Sequence, residues 1–148
     1  MRFPDFLERM DLDISKVGKQ SSYWLDQIKQ ALMTEKEKML SGQTYYARDP
    51  ELIKLHKDCR KSLKKLNSTT SDDFENRLSI LKNLLGKVHK GVWIESPFYC
   101  DYGINISIGK NTFVNFNCVF IDNNKIEIGS NVLIGPGVHF YTPSHPIK

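Results

Sequence analysis

Two runs of three apolar residues, each six positions apart, constrain this chain more than any other feature. Ile108, Val114 and Phe120 form one run, Ile128, Ile134 and Phe140 form the other, and the second lies twenty residues after the first. The runs open alike, with Ile106-Ser107-Ile108-Gly109-Lys110-Asn111 matched by Ile126-Glu127-Ile128-Gly129-Ser130-Asn131. A weaker earlier set is Ile94, Cys100 and Ile106. Six-residue spacing of an aliphatic followed by Gly or Asn is the pattern of a hexapeptide parallel β-helix. Each hexapeptide makes one short strand and a turn, so three close a triangular coil. The aliphatic side chain points into the prism. Gly and Asn take the corners, where left-handed φ is cheap for them. Successive coils stack by backbone hydrogen bonds about 4.8 Å apart. The twenty-residue period exceeds three hexapeptides by two residues, and these are expected to bulge from one corner near Asn123-Asn124. An ordinary antiparallel domain with Asn/Gly hairpins gives no reason for two triplets to run in phase.

Before residue 90 the texture is helical. Asp49-Pro50-Glu51 reads as a helix start, with Asp as N-cap, Pro in the first helical position and an acid in the first turn. Leu52, Leu55, Cys59, Leu63 and Leu66 then make one apolar stripe, and Lys54, Lys57, Lys61, Lys64 and Lys65 fill the other faces. After a polar turn at 67–71, Asp72 as cap and Glu75 three residues on predict a second helix. Its stripe is Phe74, Leu78, Leu81 and Leu85, and Gly86 suits its C-terminal cap. A shorter helix is expected from Glu35 to Leu40. Phe3, Phe6, Leu7 and Met10 suggest one amphipathic piece before it, and Trp24, Leu25, Ile28 and Leu32 suggest another.

Charge and cysteines narrow the class. The net charge of +4 comes from lysines spread along helices rather than gathered in one block, so no nucleic-acid partner is expected. Cys59, Cys100 and Cys118 are odd in number and lack C-x-x-C spacing, which argues against a disulfide scaffold. No apolar run reaches the roughly 18 residues of a membrane span. Met1–Met10 carries Asp5, Glu8 and Arg9 and lacks the apolar stretch of a signal peptide. The expectation is a cytoplasmic protein with no membrane partner.

Several motifs, in order, resemble the maltose and galactoside O-acetyltransferases. Glu37–Leu52 is similar to the small helical domain that precedes the β-helix in that family. Glu95–Ile106 resembles the strand entering the β-helix, and Asn111–Cys118 resembles its Asn-rich corner. Ile128–Val138, followed by Tyr141-Thr142-Pro143-Ser144-His145-Pro146, resembles the catalytic coil. The resemblance covers residues 35–148. It implies an α+β fold: an N-terminal extension over 1–34, a helical maltose acetyltransferase-type domain over 35–90, and an incomplete left-handed parallel β-helix over 91–148.

The chemistry implied is acetyl transfer from acetyl-CoA to a sugar hydroxyl. A hydroxyl is a poor nucleophile near neutral pH, and His is the side chain best tuned to take its proton. By resemblance, His145 is that base, acting in direct transfer without a covalent acyl-enzyme. Asn115 matches the family's asparagine at the acceptor hydroxyl, where an amide both donates and accepts. Asp101 matches an acceptor-contacting position, with Asp122 and Phe113 as further substrate-binding candidates. Phe113 stands where tyrosine is common, Asn123 where some members carry an acid, and Tyr46-Ala47 lacks an acid often seen there. No metal is expected. His139 and His145 lie six apart, but tetrahedral zinc needs further ligands, and His56 and His89 lie outside the repeats.

Family members are homotrimers with sites between subunits. Their coils beyond the histidine bind CoA and supply the oxyanion N–H, whereas only Pro146-Ile147-Lys148 follow it here. No CoA-binding residue is therefore assigned. These 148 residues alone are expected to be truncated and inactive, the alternative being a catalytically dead interaction or assembly module.

Overall fold

The computed structural model describes residues 19–144. The chain divides into two compact units, Met1–Thr34 and Glu35–Lys148. In the first, helix α1 (Lys19–Leu32) carries Trp24, Leu25, Ile28 and Leu32 at helical spacing, as the sequence predicts. The amphipathic piece expected at Phe3–Met10 lies outside the described residues.

The second unit opens with α2 (Glu35–Leu40), α3 (Pro50–Asn67) and α4 (Phe74–Leu84). Asp49 caps α3 as expected, its carboxylate accepting from the Glu51 N–H at 2.9 Å. Leu52, Cys59, Leu63 and Leu66 form the buried face of α3. The cap of α4 differs from expectation. Asp73, not Asp72, holds the N-cap position, and its side chain makes no capping bond. Asp72 instead bonds to Thr70 in the preceding turn. Phe74, expected on the buried stripe, is exposed and packs against the Trp93 ring at 5.1 Å. Gly86 has another reason to be glycine: Leu85 is the helix cap, and a Cβ on Gly86 would stand 2.1 Å from the Ile104 carbonyl oxygen. None of the described helices is long and apolar enough to cross a membrane.

The strands begin at β1 (Lys87–Val88) and continue through β2 (Trp93–Ile94) and β3 (Phe98–Cys100). A second coil holds β4 (Ile106–Ile108), β5 (Phe113–Val114) and β6 (Cys118–Ile121), and a third holds β7 (Ile126–Ile128), β8 (Leu133–Ile134) and β9 (His139–Tyr141). All pairs are parallel and form the three-stranded sheets β1-β4-β7, β2-β5-β8 and β3-β6-β9. The register is twenty throughout, for example Ile94↔Val114↔Ile134 and Phe120↔Phe140. This is the parallel β-helix expected from the period, in the incomplete left-handed form that the resemblance implies.

The interior follows the repeat. Ile94, Ile106, Ile108, Val114 and Phe120 are all fully buried. Phe98, Phe120 and Phe140 stack along one edge with ring centres 5.0 and 4.9 Å apart. The corners also recur at twenty: Gly91, Asn111 and Asn131 share positive φ in one column, Asn117 and Gly137 in another. Left-handed φ is tolerable for Gly and Asn there and costly for most other residues.

Gly109 marks where coils touch. A Cβ on it would lie 2.5 Å from the Gly129 carbonyl carbon and 2.6 Å from the Ser130 nitrogen. Both are backbone atoms of the next coil and cannot rotate away. Gly109→Ala is therefore expected to lower the unfolding free energy by about 2 kcal/mol or more, the scale of overpacking a tight core, read from the shift in urea midpoint.

Helices α3 and α4 close one end of this prism. The Asn67 amide donates to the Phe98 carbonyl and accepts from the Phe98 N–H, both at 2.9 Å, so it pairs with β3 as a neighbouring strand would. Arg77 on α4 is 2% exposed; it donates to the Ile94 carbonyl at 2.6 Å and sits 4.9 Å above the Trp93 ring. Such covering of a sheet end removes the open backbone groups that invite edge pairing.

Candidate functional site

The corners after β3, β6 and β9 lie at one vertex of the prism, because those strands share a sheet in register. The chain needs more residues to turn here: 101–105 after β3 and 122–125 after β6. The bulge expected at Asn123-Asn124 sits in the second of these turns. Thr142, just after β9, holds it from the next coil. Its hydroxyl accepts from the Asn124 N–H at 2.8 Å and donates to the Ile121 carbonyl at 2.9 Å.

Facing this vertex is the loop between α2 and α3. Asn123 donates through Nδ2 to the Tyr45 hydroxyl at 2.8 Å, joining residues 78 positions apart in sequence. Between loop and vertex is a cavity of about 430 Å³, walled by Gln43, Thr44, Tyr45, Asn123, Asn124 and the segment Thr142-Pro143-Ser144, with Met39 at its apolar side. None of the described residues lining it carries a charge. The Oδ1 atom of Asn123 is buried and has no hydrogen-bond partner among the described residues.

The other sequence-derived site residues are placed as follows. His145 lies outside the described residues and follows Ser144, the last described wall residue, in the chain. Asn115 is half-buried at the end of β5, its Oδ1 accepting from the Phe116 N–H at 2.8 Å. Phe113 lies on β5 between Trp93 and Leu133 in register. Both belong to the β2-β5-β8 face, whereas the cavity segment leaves the β3-β6-β9 face. Asp101 faces α3 instead of the cavity, with Arg60 at 3.4 Å and His56 at 4.0 Å.

Asp122 is fully buried, and its carboxylate accepts from the backbone N–H groups of Asp101 at 3.0 Å, Tyr102 at 2.8 Å and Asn105 at 3.3 Å. Burial pushes its carboxyl up from the ordinary 3.8, and the backbone donors pull it down only in part. The neighbouring Tyr102 phenol is also raised, to about 12, chiefly by burial. The expectation that Asp122 meets the acceptor finds no support in this geometry, because both oxygens are spent on the turn that shapes the vertex. Its neighbour Asn123 occupies the cavity wall. The sequence motifs do not mark Tyr45 or Thr142 as site residues. The twenty-residue register points to Thr142 one coil after Asp122, but no spacing rule links Tyr45 to the bulge.

The chain is similar to known proteins over this unit. Residues 38–89 match the maltose acetyltransferase hexapeptide capping motif. Nodulation protein L of Rhizobium meliloti (strain 1021) is 47% identical over 113 residues, covering 76% of this chain and 62% of that protein. The crystal structure of a maltose O-acetyltransferase from Clostridium difficile 630 is 49% identical with a TM-score of 0.77, covering 78% of this chain and 62% of that one. A galactoside acetyltransferase solved in complex with coenzyme A is 30% identical with a TM-score of 0.74, covering 78% and 58%. The chain thus spans about three-fifths of the length of these relatives. Over the residues matched, with a helical cap and hexapeptide coils in the same order, it belongs to the hexapeptide-repeat family of the maltose and galactoside O-acetyltransferases.

Proposed function

We propose that the native protein, in contrast to the inactivity expected of these 148 residues alone, transfers the acetyl group of acetyl-CoA to a hydroxyl of a sugar, with His145 as general base. The observation that carries this reading is the cavity closing on Thr142-Pro143-Ser144, directly before His145 in the chain. A histidine at that place takes the proton of a hydroxyl bound in the cavity. The oxygen attacks the thioester carbonyl, the C–O bond forms, the C–S bond breaks, and the CoA thiolate leaves with the proton returned through the imidazole. Relatives support the donor: the galactoside acetyltransferase of this fold was solved with coenzyme A. A reducing, cytoplasmic setting fits three cysteines that are all free and buried.

Asn115 has its place in this mechanism only if a second copy supplies it. It leaves β5 on one face of the prism, while Thr142–Ser144 leave β9 on another. A single chain does not bring the two to one point, and a cyclic homotrimer gives every copy one partner on each side. Asn115 of one copy then holds the acceptor hydroxyl that His145 of its neighbour deprotonates.

The test is release of free CoA thiol by the native protein with acetyl-CoA and a panel of methyl glycosides. Release that depends on the sugar, and an O-acetyl ester in the product, are expected. Thiol release that is indifferent to sugar, or none with any glycoside, would sink the reading.

A further inference from the structure

We propose that Cys59 and Cys100 are a modification site, a thiol pair that a hydroperoxide converts to a disulfide, locking helix α3 onto strand β3. The inference does not rest on the transfer reading.

Cys59 lies on the buried face of α3 and Cys100 ends β3, 41 positions apart in sequence. Their sulfurs stand 3.5 Å from each other, and the Cys59 thiol also reaches the Cys100 carbonyl at 3.6 Å. A disulfide holds its sulfurs about 2 Å apart, so bridging asks for an approach of roughly 1.5 Å. Small rotations about the two Cα–Cβ bonds are of that scale. Cys118 is placed differently: its thiol donates to the Gly135 carbonyl at 3.3 Å. The odd cysteine count and the lack of C-x-x-C spacing hide this pair in the sequence, because only the packing of α3 on β3 brings it together.

The pair is buried, yet it sits beside solvent in the chain. Cys59 is 4% exposed and Cys100 1%. The residues that follow them, Arg60 and Asp101, meet at 3.4 Å with side chains 48% and 23% exposed. The seam between α3 and β3 therefore reaches solvent one residue beyond the sulfurs. Hydrogen peroxide is of water size and needs only a slight parting of that seam, the kind of local opening folded proteins undergo. The Cys100 thiol is held well above its ordinary value, first by the Cys59 sulfur and then by burial, with Arg60 opposing. Cys59, the less buried of the two, is the sulfur that meets the oxidant.

The Cys59 thiolate attacks one peroxide oxygen. The S–O bond forms, the O–O bond breaks, and the departing hydroxide takes up the thiol proton as water. The Cys100 sulfur then attacks the sulfenic acid. The S–S bond forms, the S–O bond breaks, and a second water carries off the Cys100 proton. Two thiols are oxidised and one peroxide is reduced. In a reducing compartment, exchange with a small thiol returns the pair, so the bridge persists only while peroxide is high. While it persists it restricts the unfolded chain and ties the cap to the first coil.

The experiment treats the native protein with hydrogen peroxide, alkylates the remaining thiols under denaturation, and maps the digested peptides by mass spectrometry. A joined Cys59–Cys100 peptide, lighter by about 2 Da than the two thiol peptides together, is expected to dominate over either bridge to Cys118. The oxidised protein should unfold at a urea concentration higher by about 1 M, and dithiothreitol should reverse the shift. Cys100→Ala should accumulate sulfenic acid at Cys59, trapped by a cyclic diketone. Should that variant melt early, the wild-type map and urea shift decide alone. Both cysteines still free after peroxide, an equal mixture of the bridges, or an unchanged or lower urea midpoint on oxidation would overturn the inference.

Discussion

His145→Ala is expected to lower sugar-dependent acetyl transfer by about 10²–10⁴-fold, the range that a positioned general base contributes. The loss falls on kcat, because the imidazole acts on the proton as the oxygen attacks and adds little to ground-state sugar binding. The KM for the glycoside should stay within about twofold of wild type. The physical reason is the acceptor itself: an alcohol keeps its proton near neutral pH, so an attack without a base starts from a weak nucleophile. The check is initial-rate kinetics of thiol release over a range of glycoside concentrations. An unchanged kcat would remove His145 from the mechanism.

Asp122→Ala is expected to cost about 3 kcal/mol or more of folding stability, since it strips the partner from three backbone N–H groups, that of Tyr102 buried and those of Asp101 and Asn105 part-buried, and each orphaned donor costs about 1–3 kcal/mol. A loss of that size consumes much of what an ordinary domain has. The donors belong to Asp101, Tyr102 and Asn105, and the carboxylate they share is fully buried. Urea unfolding of the variant, or its failure to accumulate folded, checks this. Asp122→Asn separates the hydrogen bonds from the charge. Burial raises the Asp122 carboxyl above 3.8 in the folded chain. Between 3.8 and that raised value the folded chain holds a proton that the unfolded chain has lost. The stability Asp122 contributes is therefore fully present below 3.8 and falls as the pH rises through the raised value. The unfolding free energy of wild type minus that of Asp122→Asn should shrink as pH is raised from about 4 toward neutrality, in a series of urea melts. A difference that grows with pH would contradict the assigned direction.

Much of the fold is legible because the decisive pattern is local and repeats. Ile94, Ile108, Val114 and Phe120 are buried where a six-residue period puts them, and Asn111 and Asn131 take left-handed corners as the period requires. The Asp49-Pro50 start of α3 is read from three adjacent residues. The α4 cap is off by one, because Asp72 and Asp73 are equally good candidates and the turn, not the acid, decides between them. Gly86 looks like a helix stop, yet the Ile104 carbonyl that requires it lies eighteen residues on and is invisible in the sequence.

The site is less legible for the same reason. The motif at 141–146 leads to the segment 142–144 without marking Thr142, and Asn123 is legible only as part of the bulge. That Asp122 serves the turn and Asn123 the cavity depends on which way two neighbouring side chains face, which the period does not fix between strands. The Tyr45–Asn123 bond depends on how the cap loop meets the coil. Asn115 and the cavity segment both carry motif resemblance, but their separation on the prism becomes plain only once β5 and β9 are assigned to different sheets.

That separation gives the sharpest test of the account, whose central claim is a transfer site assembled from two copies. His145→Ala and Asn115→Ala chains, each expected to be nearly inactive alone, would be co-expressed and their mixed assemblies assayed for acetyl transfer to methyl glucoside. In a cyclic trimer every mixed assembly contains one site with both residues intact, so random mixing should restore about a quarter of wild-type turnover. Activity no higher than that of the two variants assayed separately would contradict a shared site.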